Sequence, residues 1–260
     1  MTAHKSPRRE RLDRLLVARG LVETREQACR LILAGSVKVA GARAEKQAML
    51  VDVESVLEVE QPASAYVSRG GEKLAPALTA FGIDPAGRVA MDVGASTGGF
   101  TDCLLQRGVS RVYAVDVGYG QMAWRIRQDP RVVVIERQNI RYLPAELIPE
   151  PIQLVVIDVS FISLTLVLPP VMRFLAPAAS VVALVKPQFE VGKGQVGRGG
   201  IVRDETQRRE VVEKIVTFAR DCGLRIVGRL ESPIAGQKGN REILVGWQWD
   251  AARAEHAASF

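Results

Sequence analysis

Four ionisable residues sit where apolar runs begin or end. Asp158 closes "IQLVVI", Lys186 closes "SVVALV" and Glu242 opens "ILVGWQW", while Lys73 lies in "YVSRGGEKL" at the start of a short amphipathic segment. Taken singly, each has an ordinary reading: a turn cap, a charged strand end, a guard on an edge strand or a solvated helix lysine. Taken together they point one way, because an open α/β sheet binds ligands outside the carboxyl ends of its parallel strands. A final strand running antiparallel would start at that same edge. Two lysines and two carboxylates in one cleft could handle a proton, one lysine being neutral while the others orient it and balance its charge.

A second group of residues suits a cofactor. "MDVGASTGGFTD" (91–102) reads as a strand, a glycine loop and a helix start, and Asp116 closes the next strand 24 residues beyond Asp92. A dinucleotide fold has nearly this layout. Its second glycine, which lets a pyrophosphate approach, is here Ser96. An acid ending the first strand better suits a ligand with a cationic amino-acid head. S-adenosylmethionine fits: its carboxylate near the helix-start N–H groups, its ammonium near acidic or carbonyl oxygens, its ribose hydroxyls on Asp116. The expected contacts are Asp92, Gly94, Ser96, Thr97, Gly98, Gly99, Phe100 and Thr101, with Asp116, Val117 and Asn139 at the ends of the next two strands.

The residues after Asp158 narrow the methyl acceptor. Methylation of an exocyclic base amine usually shows Asn or Asp, two prolines and an aromatic residue there; this chain has "DVSF". Methylation of a base carbon needs a nucleophilic cysteine, and Cys29, Cys103 and Cys222 all lie away from strand ends. Cys103 falls inside the helix after the glycine loop, where packing is its expected role. A ribose hydroxyl is the remaining common acceptor. It is a poor nucleophile until its proton is removed, and a lysine can take that proton if burial and neighbouring cations depress its pKa from about 10.4. Such assistance is worth roughly 10²–10⁴ in rate.

The elements that must position these groups can be read from periodicity. From residue 71, "RVAMDVG", "RVYAVDVG", "RVVVIERQN", "IQLVVIDVS" and "SVVALVKP" are apolar strands alternating with helices, as in a parallel sheet covered on both faces. "LRIVGRL" and "REILVGWQW", with only "ESPIAGQKGN" between them, predict an antiparallel hairpin at a sheet edge. Before residue 60, Leu12, Leu15 and Leu16, then Ala28, Leu31 and Ile32, recur at helical spacing, and Gly20 and Gly35 stand at C-cap positions. Two short alternating strands, "SVKVAG" and "SVLEVE", follow.

Residues 1–46 hold 11 Lys and Arg against 5 Asp and Glu, a local excess equal to the net charge of the whole chain, +6. That excess points to a polyanion, with Arg11, Arg14, Arg19, Arg25, Arg30, Lys38, Arg43 and Lys46 as candidate RNA contacts and Arg69 as a further one. The expected boundaries are a basic α+β module at 1–60, a linker at 61–70, a Rossmann-like α/β domain at 71–250 and a tail at 251–260.

Three scattered cysteines argue for a reducing compartment without disulfides or a zinc site. His4 and His256 lie near the termini, so histidine catalysis is not expected. The run 152–168 could pass for a membrane span, but Asp158 at its centre would cost roughly 2.5–3.5 kcal/mol. A buried strand followed by a loop and helix explains it better, and a cytoplasmic protein is expected.

The order Lys73, Asp158, Lys186, Glu242 resembles the Lys-Asp-Lys-Glu tetrad of the FtsJ-type ribose 2′-O-methyltransferases. More narrowly, "YVSRGGEKL", "DVGASTGGFTD", "YAVDVGYGQMAW", "DVSFISL", "LVKPQFEVGKGQVG" and "GNREIL" resemble the TlyA family. "RLDRLLVARGLVETREQACRLILAGSVKV" resembles an S-four-type RNA-binding domain. The resemblance spans roughly residues 9–248 and departs at none of the four tetrad positions. It implies S-adenosylmethionine-dependent 2′-O-methylation of cytidine in ribosomal RNA, with ribosomal RNA or ribosomal subunits as partner and no membrane. Two alternatives stand beside it: an RNA-binding assembly factor with an inactive catalytic domain, and the pore-forming activity suggested by the family's other name, haemolysin.

Overall fold

A computed structural model of the chain describes residues 8–22, 24–33, 35–44, 46–59, 65–192, 196–197, 199–236 and 239–251; the side chains of Gln27 and Arg30 also lie outside this description. It divides into two units, Met1–Ser64 and Ala65–Phe260.

In the first unit, leucines spaced i, i+3 and i+4 give α1 (Leu12–Ala18) one apolar face, which packs with α2 (Arg25–Leu33). Leu12, Leu15, Leu16, Ala28 and Ile32 are buried with Val22, Val37, Ala44 and Val51. Both helices end in glycines with left-handed φ, Gly20 and Gly35. The two anticipated strands are β2 (Val37–Val39) and β5 (Leu57–Val59), which pair antiparallel and take β3 (Ala42–Arg43) on the other side of β2. A separate antiparallel pair joins β1 (Arg9–Arg11) to β4 (Leu50–Asp52). β1, β3 and β4 are additions to the sequence reading: none carries apolar residues two positions apart, as β2 (VKV) and β5 (LEV) do.

The second unit begins before the expected boundary. The expected linker, 61–70, is partly built into it: Gln106 donates to the Ala65 carbonyl at 2.7 Å and the Val67 N–H donates to Asp102 at 2.7 Å. Ser68 caps α3 (Arg69–Ala80), its hydroxyl accepting from the Gly70 N–H. Residues 61–64 and the tail 252–260 lie outside the described residues.

Seven strands form the sheet of this unit: β6 (Val89–Val93), β7 (Arg111–Val115), β8 (Val132–Ile135), β9 (Ile152–Ile157), β10 (Leu175–Val185), β11 (Arg225–Glu231) and β12 (Ile243–Asp250). Their order is β11-β12-β10-β9-β6-β7-β8. β6 to β10 are parallel, and β12 runs antiparallel to both β10 and β11. Alternate residues face two cores. Ala90, Leu154 and Val156 pack with α3 and with α4 (Gly99–Gln106), and Ile126 of the short α5 (Trp124–Arg127) joins that core. Met91, Val155 and Ile157 pack with α6 (Leu168–Met172) and α8 (Glu205–Asp221). The doubtful run 152–168 is thus a central strand, a loop and the start of α6. No helix among the described residues is long and apolar enough to cross a membrane.

One contact sets α3 against the hairpin. Gly228 of β11 pairs with Gly246 of β12, and the ring of Phe81, at the end of α3, lies against both. A Cβ built on either glycine would come within 2.5 Å of that ring.

Candidate functional site

Three adjacent strands deliver three of the four ionisable residues. Ile157 of β9 pairs with Ala183 of β10, and Val185 of β10 pairs with Ile243 of β12. Asp158, Lys186 and Glu242 are the next residues along, so they emerge side by side from one edge. Lys73 reaches the same edge from α3, its amine donating to Glu242 Oε2 at 2.6 Å. The Lys186 amine stands 2.7 Å from Asp158 Oδ1 as an ion pair, but its aligned hydrogen bond goes to Ser160 Oγ at 2.9 Å. Both lysine side chains are only 11% exposed. Buried ion pairs are weak contributors to stability, since desolvation offsets the attraction. Two at one sheet edge are better explained by chemistry.

Beside Lys186 lies an aromatic feature absent from the sequence-based expectations. Phe161 is 90% exposed and holds a left-handed φ of 64°, costly for a bulky residue. Its ring sits 4.9 Å from that of Phe189, and the Lys186 amine is 6.0 Å from the Phe189 ring centre. In "DVSF" the missing prolines draw the eye; the terminal phenylalanine, in a chain with 5% aromatics, was the available signal.

The glycine loop joins β6 to α4. Gly94 has φ 86°, and a Cβ there would come 2.6 Å from the Asp158 carbonyl oxygen, so only glycine permits this approach to the end of β9. Ser96 takes a left-handed φ of 48°, and its N–H donates to Asp116 Oδ2 at 2.8 Å. Asp116 Oδ1 accepts the Gly118 N–H at 2.6 Å. Asp116 therefore shapes this loop as well as facing it. Val117, next to it, is 70% exposed. Asn139 caps the turn at Ile140–Tyr142 by accepting the Arg141 N–H.

Other expected cofactor residues turn inward. The Phe100 and Thr101 side chains are buried because the first turn of α4 packs that face into the core, and Gly99 is buried with them. What this turn can offer a ligand is backbone N–H groups. The Thr97 carbonyl accepts the Ala123 N–H, and Gly98 caps the helix with φ 91°. Cys103 packs in the core of α4, its thiol pushed up to about 11 by burial, as suits an unreactive cysteine.

Asp92 is fully buried. Its Oδ2 accepts the Thr101 hydroxyl at 2.7 Å, while its Oδ1 has no partner among the described residues. Burial pushes this carboxyl up to about 7; the bond from Thr101 opposes the rise, and Asp158 and Asp116 add to it. An acid with no cation beside it among the described residues, an exposed apolar residue after Asp116 and the backbone N–H groups at the start of α4 fit S-adenosylmethionine, which brings an ammonium, an adenosine and a carboxylate.

The candidate RNA contacts of the first unit divide into two sets. Arg11 and Arg25 both bind Asp13, which is fully buried, and Arg19 donates to the Ser55 and Val53 carbonyls. Arg14, Arg43 and Lys46 are exposed, Lys38 is half-buried, and the Arg30 side chain lies outside the described residues. Arg69, in the second unit, is exposed at the start of α3.

Comparison with known proteins is consistent along the chain. Residues 66–249 match the FtsJ-like methyltransferase family, and residues 10–57 match the S4 domain. A Mycobacterium tuberculosis protein named 16S/23S rRNA (cytidine-2′-O)-methyltransferase TlyA is 49% identical over 95% of this chain and 92% of its own length. Hemolysin A of Brachyspira hyodysenteriae is 43% identical over 90% of this chain and 98% of its own. A solved structure from Streptococcus thermophilus, provisionally described as a hemolysin, is 41% identical, covers 98% of each chain and superposes with a TM-score of 0.75.

Proposed function

The chain belongs to the FtsJ-like methyltransferase family, and from that premise we propose that it methylates the 2′-hydroxyl of cytidine in ribosomal RNA. The observation that carries this reading is Lys186: a nearly buried amine, paired with Asp158, bonded to Ser160 and set beside an exposed phenylalanine. S-adenosylmethionine, when bound, supplies an electrophilic methyl group. The chain has to present the acceptor oxygen and remove its proton. In this reading Lys186 first releases a proton to solvent, its Nζ then receives the hydroxyl proton as the oxygen attacks, and Asp158 stabilises the ammonium that is restored. The Lys73–Glu242 pair fixes the neighbouring charge and anchors α3 at the site. Phe161 offers a face on which the acceptor base can stack.

Support for RNA as substrate comes from how residue types are distributed. The first unit contains no Phe, Tyr or Trp; all 14 aromatics lie from Tyr66 onward. It carries charge instead, so it suits phosphate contacts that give affinity and register, while base contacts fall to the second unit. The relative named for cytidine 2′-O-methylation in two ribosomal RNAs supplies the acceptor class.

The test is to incubate the purified protein with ribosomal subunits and labelled S-adenosylmethionine, and to compare ribosomal RNA from cells with and without the gene. New 2′-O-methylcytidine that disappears with the gene is expected. Methyl groups found only on base atoms would overturn the acceptor assignment.

A further inference from the structure

Glu190 lies outside the tetrad and the cofactor loop, yet it is buried with both carboxylate oxygens engaged. Oε2 accepts the Ser163 hydroxyl at 2.5 Å and Oε1 accepts the Leu164 N–H at 2.7 Å. Its own backbone carbonyl accepts from Lys214 at 3.4 Å, tying it to α8. It closes the helical turn α7 (Pro187–Glu190), which starts directly after Lys186. One rigid turn, stiffened by Pro187, thus holds the amine at one end and this carboxylate at the other.

Both ends grip the same loop. Lys186 bonds to Ser160, Phe189 packs on Phe161, and Glu190 takes Ser163 and Leu164. At its start the loop is fixed to β6, the Asp158 N–H donating to the Val93 carbonyl at 2.9 Å. Between these anchors Phe161 keeps its left-handed backbone and its exposure. A non-glycine residue in that conformation costs of order 1–3 kcal/mol and persists only where its surroundings over-determine it. A buried carboxylate, costly to desolvate, is a strong clamp when both oxygens accept.

We propose that Glu190 is a positioning residue for methyl transfer, latching the loop 159–164 so that Ser160 and Phe161 are held against Lys186. This rests on the assignment of Lys186 as the proton acceptor. The latch needs two hydrogen bonds rather than a proton exchange, so Glu190→Gln should preserve it. The amide oxygen can accept the Leu164 N–H, and the amide nitrogen can donate to the Ser163 oxygen. Glu190→Ala removes both bonds.

The experiment measures steady-state methylation of ribosomal subunits by the full chain, together with hydrogen exchange of residues 159–165 without substrate. For Glu190→Ala, kcat should fall about 10- to 100-fold, the scale of a small misplacement of reacting groups. The KM for S-adenosylmethionine should change less than about twofold, and exchange in 159–165 should accelerate. Glu190→Gln should stay within about threefold of wild type in kcat. Should Glu190→Ala fail to fold, Ser163→Ala carries the test, with a several-fold loss of kcat at unchanged cofactor KM. Three results would overturn the latch: full activity in the alanine variants, Gln as damaging as Ala, or unchanged exchange in 159–165. A wild-type protein that methylates no ribose would count against the acceptor assignment alone, because the exchange measurement still judges the latch.

Discussion

Asp13 and Asp92 are both fully buried, one in each unit, and the chain treats them in opposite ways. Asp13 receives Arg11 and Arg25, whose guanidiniums hold its carboxyl well below the usual carboxylate range. Asp92 receives a hydroxyl and, among the described residues, no cation, and burial lifts it to about 7. Both side chains are closed to water, Asp13 just beneath two partly exposed arginines; the counter-charge differs. A buried acid whose cation comes from the chain is a structural fastening, complete by itself. A buried acid without one is incomplete, and a cationic ligand is what would complete it. The tetrad stands between these cases, since its charges are paired within the chain but the proposed mechanism requires one of them to change protonation.

Lys186 gives the largest effect and decides on which side the tetrad falls. Lys186→Ala should lower the methylation rate at least 100-fold, with RNA and cofactor affinities within a few-fold of wild type. Near-normal turnover would make the Lys186–Asp158 pair a fastening of the Asp13 kind.

Asp92 should show its missing cation as a pH dependence. A carboxyl raised to about 7 is neutral in mild acid, so S-adenosylmethionine, bearing an ammonium, should bind more tightly as pH rises through 7. We expect a gain of roughly tenfold in affinity between pH 6 and 8 by calorimetry, and a flat profile in Asp92→Asn. The same shift should make the ligand-free second unit less stable as pH rises from about 4 towards 7, because its folded state binds the extra proton. Tryptophan fluorescence reports on this unit alone, as Trp124, Trp247 and Trp249 all belong to it. Affinity independent of pH would remove the contrast with Asp13.

The smallest effect belongs to Asp13. Its lowered pKa contributes stability that is present above the ordinary carboxylate range and lost as pH falls below about 4. Asp13→Asn should cost about 1–2 kcal/mol, discounted because the arginine partners can return to water, and should blunt the acid sensitivity. Hydrogen exchange in residues 12–18 is the measurement. A substitution without effect would mean that the two arginines hold nothing in place.

The sheet was legible because each parallel strand is rich in Val, Ile, Leu and Ala and is followed directly by a charged or glycine residue. The edge hairpin was legible from the short connection before "REILVGWQW". Side-chain destinations were less so. Phe100 and Thr101 share a segment with the loop but face the core, since the phase of α4 decides and spacing to the glycines does not. Arg11, Arg19 and Arg25 looked like phosphate ligands, yet each finds a partner within its own unit, two on an aspartate that pattern alone does not mark as buried. Ser160, Phe161 and Glu190 matter through contacts between segments some thirty residues apart, which no local pattern encodes. The start of the second unit at Ala65 likewise depends on distant partners, Asp102 and Gln106.

Phe81 gives the fold an unusual weak point. Its ring rests on the Gly228–Gly246 pair, so it sets the height at which α3 rides over the hairpin, and that hairpin leads directly to Glu242. A methyl group added at either glycine would have to displace that ring, and where the ring has no room to turn, the end of the helix that carries Lys73 moves with it. The sheet would lose little, since its ladder of hydrogen bonds does not need those side chains. The reach from Lys73 to Glu242 would absorb the change. Random mutagenesis scored by soluble expression would pass such variants as healthy, and drift at these positions could silence a copy of the gene while its product went on folding.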